Sequence, residues 1–103
     1  MLKRENILKT VIELFGKEKQ TIIAIEELSE LQKELTKTLR HKLNKHNLIE
    51  ELADVEIMLE QLKIMYDIDE QDLEDMKTYK IDRLSSRVNG YIKDLERGVD
   101  SEI

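Results

Sequence analysis

Residues 18–42 read EKQTIIAIEELSELQKELTKTLRHK. Ile25, Leu28, Leu31, Leu35 and Leu39 recur in this stretch at steps of three and four, the spacing that lines one face of an α-helix. The chain around it has no proline and three glycines, with 39% charged and 4% aromatic residues. Such a composition predicts long helices with few breaks. Regularly spaced apolar residues, 40% of the total, argue against disorder.

Three further helices follow from the same periodicity. The first is expected over 2–15, where Ile7, Leu8, Val11, Leu14 and Phe15 share a face and Gly16 supplies a stop. After the 18–42 helix, the polar run 41–46, HKLNKH, loses the pattern and reads as a loop holding both histidines. Asn47 is then the expected N-cap of a third helix, with Glu50 as its capping-box partner. That helix runs to about residue 66, with Leu48, Leu52, Val55, Leu59, Leu62 and Tyr66 on one face. Asp67-Ile68-Asp69 interrupts the pattern, and Asp69 is expected to cap a fourth helix carrying Ile81, Leu84, Val88, Tyr91 and Leu95. The expected fold class is therefore all-α: one domain over 1–103, a four-helix antiparallel bundle-like protomer. A chain of 103 residues buries a limited core, so assembly into a dimer or tetramer is expected.

Charge and residue content exclude several functions. Seventeen Lys and Arg against 23 Asp and Glu give a net charge of −6, which disfavours a nucleic-acid polymer as partner and docking on an anionic membrane. No apolar run approaches the roughly 20 residues of a membrane span. Cysteine is absent, which removes disulfides, thiolate metal sites and cysteine nucleophiles together. The amphipathic start is unlike a secretory signal, and the expected compartment is the cytoplasm.

Two sets of acids do not fit a solvated surface. Glu27 and Glu30 stand three apart in Glu26-Glu27-Leu28-Ser29-Glu30, with Ile23 and Leu31 one turn either side of Glu27 and Glu34 extending the row. Glu51 falls within the arc of Val55, Met58 and Leu62, and Asp54 lies at its edge. Carboxylates in an apolar setting are costly unless they are paired or bind a metal. Four carboxylates without nitrogen or sulfur ligands describe a hard-cation site, best suited to Mg²⁺, with Mn²⁺ as substitute and Ca²⁺ also compatible. On the residues alone, salt bridges to Lys and Arg of neighbouring helices remain an alternative. A di-iron bundle needs Glu-x-x-His pairs, and neither His41 nor His46 has a Glu three residues before it. On the last helix Lys80, Arg83 and Arg87 form one stripe beside Tyr79, suited to phosphate oxygens or to pairing with the acids. Gln20, just ahead of the acidic helix, could meet a base edge. Met58, Met65 and the aromatic residues read as packing groups.

Taken together, E-E-x-x-E followed by E-L-A-D-V resembles the all-α nucleoside triphosphate pyrophosphohydrolases. This MazG-like superfamily also holds dimeric dUTPases, dCTPases and phosphoribosyl-ATP pyrophosphohydrolases. The lead-in Phe15-Gly16-Lys17-Glu18-Lys19-Gln20 and the later Tyr79-Lys80-Ile81-Asp82-Arg83-Leu84 look like its short, phage- and Firmicute-type members. The resemblance covers about 14–87. No His lies within 56–65, unlike in the phosphoribosyl-ATP enzymes. The resemblance implies Mg²⁺-dependent cleavage of a ribo- or deoxyribonucleoside triphosphate between the α and β phosphates, in nucleotide-pool housekeeping. It implies Glu27, Glu30, Glu51 and Asp54 as metal ligands, with Glu26, Glu27 and Glu51 as the catalytic acids. It also implies Lys80 and Arg83 as phosphate ligands; the stripe adds Arg87, and the position of Gln20 adds that residue, toward substrate. Two readings of other classes stay open: a non-catalytic helical interaction protein, and a metal sensor without turnover.

Overall fold

The computed structural model describes residues 3–98. These are all-helical: α1 (Arg4–Phe15), α2 (Lys17–Leu39), α3 (Lys45–Met65) and α4 (Glu70–Glu96), with no strand among the described residues. Leu2, the expected start of α1, lies outside them. The chain divides into two compact units between Ile68 and Asp69, so α1–α3 and α4 are described separately.

Gly16 separates α1 from α2 at φ +91°, ψ 154°, a backbone region almost confined to glycine. Its N–H closes α1 on the Ile12 carbonyl at 2.8 Å, and its carbonyl opens α2 by accepting from the Gln20 N–H at 3.1 Å. One residue therefore both ends and starts a helix, and the expected stop is met.

The end of α2 comes earlier than its periodicity predicts, at Leu39 rather than near residue 42. His41 takes φ +59°, and the Lys42 N–H reaches back to the Lys37 carbonyl at 2.9 Å, the six-to-one closure of a Schellman turn. The end of α3 repeats the device. Asp67 has φ +51°, and the Ile68 N–H bonds the Lys63 carbonyl at 2.9 Å.

The start of α3 differs from expectation by three residues. Asn44, not Asn47, is the cap, and its side-chain oxygen accepts from the N–H of Asn47 itself at 3.1 Å. His46 consequently lies in the first turn of α3 rather than in the loop, 3.2 Å from Glu50, which is no longer a capping-box partner. Two asparagines three apart are equally good caps by type, and the earlier one satisfies the later one's amide. Asp69 caps α4 as expected, accepting from the Gln71 and Asp72 amides at 2.7 and 3.3 Å.

Within the first unit, α2 and α3 run antiparallel. Gln20 and Thr21 at the start of α2 bond Gln61 and Tyr66 at the end of α3, at 2.8 and 2.9 Å. The buried apolar residues among those described are Leu8, Ala24, Val55 and Met58. The stripe expected to be core on α2 is mostly outside. Leu31 is half-buried, while Ile25, Leu28, Leu35 and Leu39 are 46–82% exposed. The row that faces inward is Gln20, Ala24, Glu27, Leu31 and Glu34. On α3, Val55 is buried and Leu48 and Leu62 half-buried, but Leu52, Leu59 and Tyr66 are exposed. The same split divides α1, where Leu8 is buried and Ile7, Leu14 and Phe15 are exposed. No residue of α4 is buried.

Two glycines give opposite tests. Nothing lies within 4 Å of a Cβ added at Gly16 or at Gly90, so sterics against neighbours are not at issue. Gly16→Ala should lower stability by about 1–3 kcal/mol through backbone strain. Gly90→Ala, inside α4, should raise it by about 1 kcal/mol through helix propensity. Thermal melting of both variants reads the two signs.

Candidate metal centre

The inward row of α2 brings Glu27 to α3, and the second and third turns of α3 bring Glu51 and Asp54 to Glu27. One carboxylate oxygen from each lies within 4.8 Å of the others. Glu27 and Glu51 are half-buried and Asp54 is exposed. The Glu51 Oε2 atom is buried with no hydrogen-bond partner. None of the three forms an ion pair with Lys or Arg among the described residues.

Three acids this close repel one another, and at Glu27 and Glu51 that repulsion adds to the effect of burial. Desolvation raises Glu27 above the ordinary value of 4.5; the charge of Asp54, a hydrogen bond shared with Asp54, and the charges of Glu51 and Glu30 raise it further. Desolvation also leads for Glu51, followed by the charges of Asp54, Glu30, Glu34 and Glu50. Bringing a cation among these oxygens would relieve every one of those charge contacts. An all-oxygen donor set with a buried, unpartnered carboxylate oxygen fits a hard divalent ion such as Mg²⁺.

The remaining residues singled out in the sequence fall in different places. Glu30 is exposed and pairs with Lys33 at 3.3 Å. It stands outside the three-acid cluster, although its charge is felt by Glu27 and Glu51. Glu34 is buried and met at 3.1 Å by Lys37 of its own helix, an i,i+3 pair rather than the expected bridge to a neighbouring helix. Glu26 is exposed, about 100° around the helix from Glu27. Gln20 is 3% exposed and donates from Nε2 to Gln61 Oε1. Lys80, Arg83 and Arg87 are exposed on α4 and, with Leu84, line a shallow cleft of about 240 Å³. The Arg83 guanidinium lies 5.8 Å from the Tyr79 ring centre. The sequence reading passed over Gln61, although its position three after Met58 puts it on the packed side of α3.

No protein-family model, curated protein or solved structure matches the chain.

A raised carboxyl pKa means that the folded chain keeps protons the unfolded chain has already released. Its contribution to stability is therefore lost as pH rises from about 4.5 through the raised value, and stays lost above it. Without divalent cations, the melting temperature of Glu51→Gln should fall less over this window than that of the parent, and at pH 7 the variant should be the more stable. Mg²⁺ should raise the parent's melting temperature at pH 7 and leave the variant nearly unmoved. Melting curves at pH 5 and 7, with Mg²⁺ and with EDTA, test both statements.

Proposed function

We propose that the chain is a Mg²⁺-dependent nucleoside triphosphate pyrophosphohydrolase of the MazG-like kind. Water and a ribo- or deoxyribonucleoside triphosphate would give the nucleoside monophosphate and pyrophosphate, within the cytoplasmic nucleotide pool. The observation that carries this reading is the cation-free meeting of Glu27, Glu51 and Asp54 between α2 and α3, on the two motifs that resemble that superfamily. That no helix among the described residues is long and apolar enough to cross a membrane agrees with a nucleotide substrate in water.

Glu27, Glu51 and Asp54 would hold the ion, with Glu30 completing the set once it leaves Lys33, and Mn²⁺ could substitute for Mg²⁺. The ion would supply Lewis-acid polarisation of the phosphate. Glu51 Oε2, with no partner of its own, is the oxygen we assign to it. Glu27, whose carboxylate lies beside those of Glu51 and Asp54, is the residue we assign to take a proton from the attacking water, with Glu26 as the accessory acid. The water oxygen would bond to the α phosphorus as its proton leaves, and the bond from that phosphorus to the bridging oxygen would break with its electron pair going to pyrophosphate. Lys80, Arg83 and Arg87 carry the charge that phosphate oxygens require, while Gln20, expected toward substrate, is buried and bonded to Gln61.

The exposed apolar faces of α2, α3 and α4 support assembly as a homodimer or homotetramer. Those faces also favour a second reading, a helical interaction or metal-sensing module without turnover.

Pyrophosphate release from a panel of ribo- and deoxyribonucleoside triphosphates, with Mg²⁺ and with EDTA, separates the readings. The enzyme reading expects metal-dependent release from at least one of them and loss of it in Glu51→Gln. Residual activity of the variant within about tenfold of the parent would sink the assignment, since loss of a transition-state contact worth about 1.4 kcal/mol already accounts for tenfold. Arg83→Ala should weaken turnover while sparing the Mg²⁺ effect on melting. Light scattering should report a dimer or larger; a monomer contradicts the assembly.

A further inference from the structure

Ile81, Leu84, Val88, Tyr91 and Leu95 of α4 follow one another at steps of three, four, three and four, the a and d positions of a heptad repeat. All five are 43–60% exposed. The outer b, c and f positions between them hold Asp82, Arg83, Ser86, Asn89, Gly90 and Lys93, so apolar side chains are confined to this stripe and to Ile92 at its edge. From Ile81 to Leu95 the stripe is about 21 Å long. A seam with a period of 3.5 residues is suited to another helix of the same pitch.

The charges beside the seam discriminate between partner helices. Lys80, Arg87 and Asp94 stand at the g positions, and Thr78, Ser85 and Ile92 at the e positions. Neither Lys80 nor Arg87 has an acid three or four residues away. None of Lys80, Arg87 and Asp94 makes an ion pair among the described residues. Facing charges at e and g set the orientation of paired helices. In a parallel pair g faces e of the other helix, and every e residue here is uncharged. In an antiparallel pair g faces g, and Asp94 meets a cation. A second α4, laid antiparallel, supplies the opposite charges that one α4 lacks.

Packing then selects the register. Ile81 opposite Tyr91 and Leu84 opposite Val88, each layer occurring twice, set a smaller side chain against a larger one. The same register places Lys80 beside Asp94 of the second copy at both ends of the overlap, and Leu95 against the aliphatic stem of Lys77. Arg87 approaches its own counterpart at the centre, an exposed like-charge contact that salt screens. Two attractive pairs outweigh it. A shift of one heptad either leaves Ile81 opposite Gly98, with no side chain to cover it, or sets Lys80 against Arg87.

We propose that α4 docks antiparallel on α4 of a second copy of this chain, with Ile81 against Tyr91 and Lys80 paired with Asp94 across the seam. This inference rests on the reading of the chain as a homo-oligomer and is independent of the metal centre. It leaves Arg83 on the outer face, beside the Tyr79 ring, and draws Lys80 to the edge of the seam.

Disulfide formation between single-cysteine variants reads the arrangement directly, because the chain has no cysteine of its own. Full-length Ile81→Cys and Tyr91→Cys are purified separately, mixed and exposed to a mild oxidant. Both positions are exposed, so neither substitution opens a core. Facing core positions of two paired helices come close enough for an S–S bond. The mixture should give the mixed dimer, identified by its mass, while each variant alone gives little. Lys93→Cys, on the outer face, should give only background. Carried on both chains, Asp94→Lys should cut the mixed yield severalfold, and adding Lys80→Asp should bring it back. Self-linking of the separate variants without a mixed product means parallel helices and overturns the proposal. So does a mixed yield that ignores Asp94→Lys, that Lys80→Asp fails to restore, or that Lys93→Cys matches. If no cross-link forms while light scattering still reports a dimer or larger, α4 is not the contact and this inference falls alone. If light scattering reports a monomer, the assembly reading fails and takes this one with it.

Discussion

The contact on which the rest of this structure turns is the face of α2 laid against α3. Its inward row reads Gln20, Ala24, Glu27, Leu31, Glu34, so three of five residues on the most protected side of the helix are polar. Each needs a partner because buried polar groups are expensive when unsatisfied. Gln20 finds Gln61, and Glu34 finds Lys37. Glu27 finds Glu51 and Asp54, partners of its own sign. Folding therefore works against charge repulsion at one point, and the neighbouring Ala24, Val55 and Met58 must hold the helices together across it.

That arrangement decides where the leucines go. With the α2–α3 seam given over to polar groups, Ile25, Leu28, Leu35 and Leu39 lie along the outer side of α2, and Leu52 and Leu59 along the outer side of α3. Taking α2 and α3 as antiparallel and advancing about 100° per residue, both sets fall on the same side of the pair. A contiguous apolar surface of this kind marks an interaction site far more often than free surface. In α4 the same holds without any inward face at all: Ile81, Leu84, Val88, Tyr91, Ile92 and Leu95 are all exposed. Among the described residues the buried apolar side chains are Leu8, Ala24, Val55 and Met58, and the proposed association is what would cover the apolar faces left outside.

Much of the fold was readable from periodicity, and the errors have identifiable causes. Helix number, the Gly16 break and the Asp69 cap follow from local chemistry and were met. The α2 end, closed by left-handed His41, came earlier than expected because histidine does not announce that conformation as glycine does, whereas the α3 end, closed by Asp67, fell where the pattern breaks. The α3 cap moved because Asn44 and Asn47 compete on equal terms. The leucine stripe of α2 was found correctly as a stripe and assigned to the wrong neighbour, since a period of 3.6 identifies a face without saying what covers it. The acids were legible for a complementary reason: Glu51 and Glu27 sit at positions where an apolar residue would serve packing better. Gln61 carries no such contrast, because an uncharged amide on an apolar arc passes for a tolerated substitution.

The local neighbours of the three acids separate a salt-bridged bundle from a ligand-centred one. Elsewhere the chain pairs acids with lysines at helical spacing, as in Glu5–Lys9, Glu30–Lys33, Glu34–Lys37 and Glu74–Lys77. Positions three and four away from Glu27 hold Ile23, Ala24, Glu30 and Leu31; around Glu51 they hold Asn47, Leu48, Asp54 and Val55. Around Asp54 they hold Glu50, Glu51, Ile57 and Met58. In a chain with 17 Lys and Arg, none falls within helical reach of any of the three. A sequence selected only to be a stable bundle would gain from placing one there, since an uncompensated acid in a protected site costs more than a pair. The missing lysines and the orphaned Glu51 Oε2 are two independent observations, one of sequence and one of geometry. Both are accounted for if the positive charge that belongs in this site is brought by a bound ion.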